Sequence, residues 1–271
     1  MSWINDKVII ITGASEGIGE ALAKRLGPGN TVVIAARRLE KLKEVAAYIN
    51  AHGGRAHPVA CDVSDQAQCE ALVEETIKMF GVIDIVVNNA GISMHAWFDD
   101  IADLSTYEKL FRTNVMSMIW ITHKALPHLK VRDGLIVGVS SLAGKTGVPA
   151  RTTYCTSKFA MSGFMEALRI ELMDTGVDVC GIFPGVVDTD IRRNGLNAEG
   201  QRAGISGLTE AGAMTVDECV DEMVQAMEDR KREWVMTSKA RLGLKLKPFF
   251  PQMIDQMAKN ALDENHGGPK T

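Results

Sequence analysis

The stretch that decides the fold is Lys7-Val8-Ile9-Ile10-Ile11-Thr12-Gly13-Ala14-Ser15-Glu16-Gly17-Ile18-Gly19. Its first half, Lys7–Thr12, is apolar on successive residues without polar alternation, as expected of a strand covered on both faces. Its second half spaces three glycines as G-x-x-x-G-x-G and runs into the helical pattern Gly17–Leu26. A strand, a glycine turn and a helix in this order form a site for a pyrophosphate. Gly13 permits the sharp turn, and Gly17 and Gly19 let backbone and helix approach the anion. The helix amino terminus supplies N–H donors and a favourable dipole. The spacing departs from the more general G-x-G-x-x-G. A P-loop is excluded because no Gly-Lys-Ser/Thr follows, position 20 being Glu20. The plain alternative is a glycine-rich turn that only packs strand on helix.

Outward from this unit, short β-branched runs alternate with longer helical patterns. Strands are expected at Thr31–Ala35, Ala56–Cys61, Ile83–Asn88, Gly134–Ser140, Val177–Phe183 and Glu233–Met236. Helices are expected at Leu39–Ala51, Gln66–Phe80, Leu104–Leu129, Thr152–Asp174 and Val216–Asp229. The alternation predicts an α/β protein, one Rossmann-type doubly wound domain over residues 1–271 with a seven-stranded parallel sheet and helices on both faces. Two regions break the pattern. Residues 186–214 are glycine-rich and too long for a simple connection, so a mobile substrate lid is expected there. Residues 239–263 form an apolar extension with interspersed lysines.

The choice between NAD and NADP is written at the end of the second strand, where an acid would bind ribose hydroxyls and an arginine a 2′-phosphate. The strand ends Val33-Ile34-Ala35-Ala36-Arg37-Arg38. Alanine stands where the acid belongs, and two arginines follow. Glu40 competes but falls inside the next helix. NADP is therefore the expected cofactor, with NAD the lesser choice.

Tyr154 and Lys158 stand one helical turn apart, and Ser141 lies thirteen residues before Tyr154. Reducing a carbonyl by hydride needs a proton donor for the developing alkoxide. A tyrosine, with an ordinary pKa near 10, needs help to act at neutral pH. A lysine at i+4 shares its helix face, and its charge would favour the tyrosinate. Ser141 would bond the substrate oxygen. A lone Y-x-x-x-K is a weak signal, and its conjunction with Ser141 and the glycine loop is what points to hydride transfer.

With Asp62-Val63, Asn88-Asn89-Ala90-Gly91, Asn114, Ser140-Ser141 and Pro184-Gly185 with Thr189 added, the chain resembles the short-chain dehydrogenase/reductase family from Lys7 to about Thr189. The resemblance implies catalytic roles for Asn114, Ser141, Tyr154 and Lys158, with Asn114 holding a water that relays protons through Lys158. It implies cofactor contacts from Gly13, Ser15, Glu16, Gly17, Ile18 and Gly19, and from Arg37 and Arg38. Asp62 and Val63 would meet the adenine. Asn89, Ala90 and Gly91 would flank the adenosine ribose and the nicotinamide side of the cleft. Tyr154 and Lys158 would bind the nicotinamide ribose, and Pro184, Gly185, Val187 and Thr189 would position the carboxamide. Taken singly, Asp62 could instead cap the helix at Gln66, and Asn114 could bond backbone within its own helix. Many members carry a basic residue where Glu16 stands, which leaves NADP selection to Arg37 and Arg38. The tail lacks the Asp-Gly-Gly of β-ketoacyl carrier-protein reductases and looks closer to hydroxysteroid and retinol dehydrogenases. The expected activity is NADP-dependent reduction of a carbonyl, or oxidation of a secondary alcohol, on an apolar small molecule. A 3-ketoacyl thioester reductase and a non-catalytic NADP-binding sensor are the alternatives.

Composition limits the rest. The hydrophobic fraction is 46%, the charged fraction 24% and the net charge −4, so no basic field for nucleic acid exists. Five scattered cysteines without C-x-x-C, and six histidines without H-x-x-x-H, give no metal site and point to reduced thiols. The amino terminus lacks a signal-peptide pattern, and a cytoplasmic chain is expected. Substrate contacts are expected from Met94–Phe98, Leu142–Val148, Gly185-Val186 and the 188–212 loop. Arg151, Arg192, Arg193 and Arg202 could greet an anion or belong to a solvated loop. The tail could cover the pocket, enter a subunit interface or lie on a membrane surface, the last being the least favoured. The resemblance implies a homodimer or homotetramer through the helices at 104–129 and 152–174.

Overall fold

The computed structural model describes residues 3–206 and 212–260. Seven strands form one parallel sheet: β1 (Val8–Thr12), β2 (Thr31–Ala36), β3 (Arg55–Ala60), β4 (Ile85–Asn88), β5 (Leu135–Val139), β6 (Asp178–Phe183) and β7 (Glu233–Val235). Their spatial order is β3-β2-β1-β4-β5-β6-β7, so the winding reverses between β1 and β4. That reversal opens a crevice at the carboxyl ends of these two strands, where α/β sheets bind their ligands.

The absence of alternation in the strand sequences is explained by two cores, one on each face. Along β1, Ile9 and Ile11 enter the layer formed with Leu22, Leu42, Ile49 and Val220. Ile10 enters the opposite layer with Leu72, Met118, Ile121 and Met165. The first layer is covered by α1 (Gly17–Leu26), α2 (Leu39–Ala51) and α7 (Val216–Glu228). The second is covered by α3 (Gln66–Phe80), α5 (Ser117–Val131) and α6 (Thr152–Glu171). Each strand residue thus meets a covered face whichever way it points, which favours β-branched side chains at every position.

One expected helix is interrupted. Residues 104–129 were expected as a single helix, but α4 (Ser105–Phe111) and α5 are joined by a π turn over Arg112–Met116. The apolar periodicity is continuous across the join, so the extra residue leaves no mark in the pattern. A helix expected at 152–174 ends at Glu171, three residues short. Two helices in the tail, α8 (Ser238–Leu246) and α9 (Pro251–Asn260), complete the described elements. Residues 261–263 of the expected extension and 207–211 of the expected lid lie outside the described residues.

Candidate active site

The glycine loop is built by close approach. Gly13 has φ +66°, and a Cβ there would come within 2.9 Å of the Ala90 Cα. A Cβ on Gly19 would sit 2.3 Å from the Gly13 carbonyl oxygen and 2.5 Å from the Asn89 amide nitrogen. No side chain larger than hydrogen fits at Gly19. Thr12 joins the two strand ends, since its Oγ1 accepts from the Asn89 and Ala90 amides at 3.0 Å each. The Asn89 side chain donates back to the Thr12 carbonyl at 2.9 Å. Thr12 was not among the expected site residues. Its signal is a hydroxyl at the end of an otherwise wholly apolar strand.

The amino end of α1 has no side-chain cap, so its first-turn N–H groups are not used by Glu16. Gly17 (φ +57°) faces Thr189, which lies 3.5 Å from where a Cβ would stand. Loop and lid therefore leave a cleft beside uncapped N–H donors, and the residues present fit a dinucleotide phosphate.

The four expected catalytic residues converge. Asn114, 1% exposed, sits in the π turn and reaches out of its own helix. Its Oδ1 accepts from the Ile92 amide at 2.8 Å, and its Nδ2 donates to the Ile92 carbonyl and to Ser157 Oγ at 3.0 Å each. Ser157, another unforeseen member, donates to the Tyr154 carbonyl at 2.8 Å. Lys158 is 2% exposed and its Nζ donates to the Val139 carbonyl, the last residue of β5, at 2.9 Å. A Cβ on Gly91 would stand 3.2 Å from Asn114 Oδ1 and 3.6 Å from Lys158 Nζ. Ser140 ties α6 to β5 by donating to the Lys158 carbonyl at 3.1 Å.

Burial raises the Tyr154 phenol above its ordinary value, while a hydrogen bond to Ser141 and the charges of Arg151 and Arg192 pull it down. Burial lowers the Lys158 ammonium to about 7, and Nζ lies 5.6 Å from the centre of the Tyr154 ring. Lys158 shares the helix face of Tyr154, and the charges of Arg151 and Arg192 also favour the tyrosinate. Cys155 is buried, its thiol raised by burial, and it reads as a small packed residue.

Ser141, Tyr154 and Lys158 open on a cavity of about 620 Å³ that also takes in Ile18, Asn89, Pro184, Gly185, Val187 and Thr189. Arg37, Arg38, Asp62 and Val63 lie outside it, following β2 and β3. Arg38 donates to Ser15 Oγ at 3.1 Å and pairs with Glu16 at 2.7 Å, while Arg37 is exposed. Asp62 does not cap the helix at Gln66. It accepts from Ser64 N and Oγ at 3.0 and 2.8 Å, and Asp65 is the cap. Val63 is buried in the second core layer.

Of the expected substrate contacts, Leu142–Val148 and Gly185-Val186 contribute to the cavity and Met94–Phe98 do not. Met94, 1% exposed, packs instead with Leu110 and Leu196. The lid is stitched to this segment: Leu196 N donates to the Ser93 carbonyl and His95 N to the Leu196 carbonyl, both at 2.8 Å. The tail forms the roof of the cavity through Gly243, Leu244, Ile254 and Met257, the first of its three expected roles. The described residues contain no group of three or more His, Cys, Asp or Glu side chains that could hold a metal ion, and no helix long and apolar enough to cross a membrane.

A parallel sheet with a glycine loop at its switch point, and a Ser-Tyr-Lys set at the next strand end, defines a nucleotide-dependent oxidoreductase. A family model described as short chain dehydrogenase matches residues 7–200, and the chain belongs to that family, whose members act on CH–OH groups with NAD or NADP. It is 41% identical over 201 residues to 11-beta-hydroxysteroid dehydrogenase-like 4A of Arabidopsis thaliana, covering 73% of this chain and 67% of the relative. It is 32% identical to the human dehydrogenase/reductase SDR family member 7 over 98% of this chain and 81% of that one. Its fold matches a short-chain dehydrogenase/reductase from Burkholderia phymatum in complex with NAD, with a TM-score of 0.81 at 21% identity over the whole of both chains.

Proposed function

We propose that this chain is an NADP-dependent oxidoreductase acting between the carbonyl and secondary-alcohol forms of a largely apolar small molecule, with Tyr154 as the acid/base. The observation that carries this reading is the convergence of Ser141, Tyr154 and Lys158 on one cavity at the carboxyl end of β5, with buried Asn114 beside Lys158 at Gly91. Bound nicotinamide supplies or accepts the hydride, and the rest is the work of the chain.

In the reducing direction, Ser141 Oγ donates to the substrate oxygen and Tyr154 Oη delivers the proton. Tyr154 is then reprotonated by way of the Lys158 ammonium, which is resupplied from a water held at Asn114, whose amide is fixed by Ile92. An ammonium brought by burial to about 7 exchanges protons readily at neutral pH. The lining supports an apolar substrate, because Leu142, Val148, Val186, Ile191, Leu244 and Ile254 surround the reacting end.

For NADP we assign the phosphate to Arg37 and Arg38, the second of which is preset against Ser15. The remaining positions follow the same assignment: Gly13, Ser15, Glu16, Gly17, Ile18 and Gly19 at the pyrophosphate, Asp62 and Val63 at the adenine. Asn89, Ala90 and Gly91 lie along the cleft, and Pro184, Gly185, Val187 and Thr189 stand at the carboxamide. We take residues 1–271 as one catalytic domain with a substrate lid assigned to about 186–214 and a carboxyl-terminal apolar extension to about 239–263, of which residues 207–211 and 261–263 lie outside the described residues. We assign a cytosolic location on its five free, buried thiols. A homodimer or homotetramer is supported by exposed Leu104, Phe159, Ile170 and Met173 on or beside α4 and α6.

The test is NADPH consumption against apolar ketones, aldehydes and ketoacyl thioesters, with NADH in parallel. Turnover with NADPH preferred is the expected result. Tight NADPH binding without turnover would favour a sensor, and preference for NADH would overturn the assignment of Arg37 and Arg38.

A further inference from the structure

The tail helices α8 and α9 have two sides, and the cavity accounts for one of them. Inward, Gly243, Leu244 and Ile254 line the cavity. A Cβ on Gly243 would stand 3.8 Å from Ile254 Cδ1, so the two helices pack on each other there. α8 is fastened to the body at two points: Arg241 Nη1 donates to the Val235 carbonyl at 2.6 Å, and Lys247 Nζ to the Lys145 carbonyl at 3.1 Å. Outward, Leu242, Phe249, Phe250, Met253 and Met257 are each at least 44% exposed. Phe250, Met253 and Met257 recur at the spacing of one helix face, with Phe249 beside them, so they form a patch rather than scattered single residues.

Charge rims this patch. Lys239 and Lys245 stand three residues to either side of Leu242, which places both next to it on the surface of α8, and both are exposed. Residues 238–271 hold six Lys or Arg against three Asp or Glu, a net charge of +3 in a chain whose total is −4. The tail is thus basic in a protein that is otherwise acidic. Lysine stems lie along apolar surface while their ammonium groups reach polar surroundings. Exposed rings flanked in this way suit a helix lying in the plane of an anionic bilayer, with the rings at the acyl boundary and the lysines at the phosphates. No helix among the described residues is long and apolar enough to cross a membrane, so the contact is peripheral. A second copy meeting through the same face would bring two basic surfaces together, which like charge opposes.

We propose that the outward face of α8 and α9, with Leu242, Phe249, Phe250, Met253 and Met257 between Lys239 and Lys245, docks the protein on the surface of an anionic lipid bilayer. Met257 belongs to the cavity lining as well as to the patch, so the docked face borders the cavity. Docking needs no turnover and is independent of the oxidoreductase reading.

The experiment is co-sedimentation of the full chain with vesicles of phosphatidylcholine alone, and with vesicles of phosphatidylcholine and phosphatidylglycerol in equal parts. At low salt the anionic vesicles are expected to bind about 30-fold more tightly, at about fivefold for each of the two lysines. High salt should shrink that preference by screening. Lys239→Gln with Lys245→Gln should remove most of it and leave binding to the neutral vesicles unchanged. Phe249→Ser with Phe250→Ser should weaken binding to the anionic vesicles by about 10-fold or more, since the rings would no longer leave water for lipid. Thermal melts establish that each variant is folded. Equal binding to both vesicle types, sedimentation with neither, a preference unmoved by the two glutamines, or binding that survives the two serines would overturn the proposal. A wild type that ignores vesicles, and that loses a dimer in sedimentation velocity when the two serines are introduced, would assign the face to a second copy instead.

Discussion

The floor and the roof of the cavity are built on opposite terms. Lys158 on the floor, and Asn114 and Ser157 behind it, are no more than 2% exposed, and each is held by a named backbone or side-chain partner. On the roof, Phe249, Phe250 and Leu242 are 77%, 56% and 59% exposed, and only Ile254 of the two tail helices is buried. Buried polar groups must be satisfied where they stand, so every floor residue is constrained by several neighbours at once. The roof has only to be apolar on one side. On the proposed reading, reaction chemistry is fixed by the floor, and the choice of substrate is left to parts that can change without disturbing it.

The sharpest way to break this comparison is Tyr154→Phe, which removes the proposed proton donor and leaves the ring in place. Turnover should fall by about 10²- to 10⁴-fold, with NADPH affinity and melting temperature little changed. Comparable rates in the variant would move the chemistry off the floor altogether.

Next in size is Gly19→Ala, where the added methyl meets the Gly13 carbonyl at 2.3 Å. The backbone cannot yield cheaply, and a loss of roughly 1–3 kcal/mol in denaturant unfolding is expected, together with weakened cofactor binding. Gly163→Ala is the matched control. It lies exposed in α6 with open space around it, so it should stabilise by roughly 0.4–1 kcal/mol. Equal effects at both positions would mean that the loop is not as tightly closed as described.

Lys158→Met tests the cost of the floor. The folded-state value of the lysine is lowered from 10.5 to about 7 by burial alone. Between those values the unfolded chain holds the extra proton, so wild-type stability without cofactor rises as pH goes from 7 toward 10. The methionine variant should lack that rise and be the more stable of the two at pH 6, by on the order of a few kcal/mol, while losing activity. Parallel melting curves from pH 6 to 9.5 would refute the burial argument.

The smallest effect belongs to the roof. Phe249→Ser with Phe250→Ser removes two exposed rings and should shift stability by no more than about 0.5 kcal/mol per site. A large loss of stability would show that the roof is as constrained as the floor.

The same contrast decides what could be read from the chain. The glycine loop, Ser141, Tyr154 and Lys158 were legible because each position admits few residue types, and their order along the chain reports the strand ends that carry them. Strand bounds came within two residues because both faces of the sheet are covered and apolar runs end where the strands end. Asn114 was legible as a residue but not in its partners, since the π turn leaves the apolar periodicity intact. Two arginines among four in loop-like sequence could not be identified as buried, because what buries them is the fold of residues 186–206 over Ser93 and Met94. The roof helices were not legible either, as Leu242 through Met257 form a face with no surrounding layer to demand it.

The π turn at Arg112–Met116 has a further consequence. It holds one residue more than an α-helix would, and that surplus turns the Asn114 amide outward to Ile92 and Ser157. Deleting any one of these five residues would let α4 and α5 fuse into a single regular helix. Each residue advances a regular helix by about 100°, so everything on one side of the cut would swing by that angle, either Asn114 away from its partners or Met118 and Ile121 out of the core. This segment should therefore accept many changes of side chain and almost none of residue count, a tolerance visible in a deletion scan and invisible in a substitution scan.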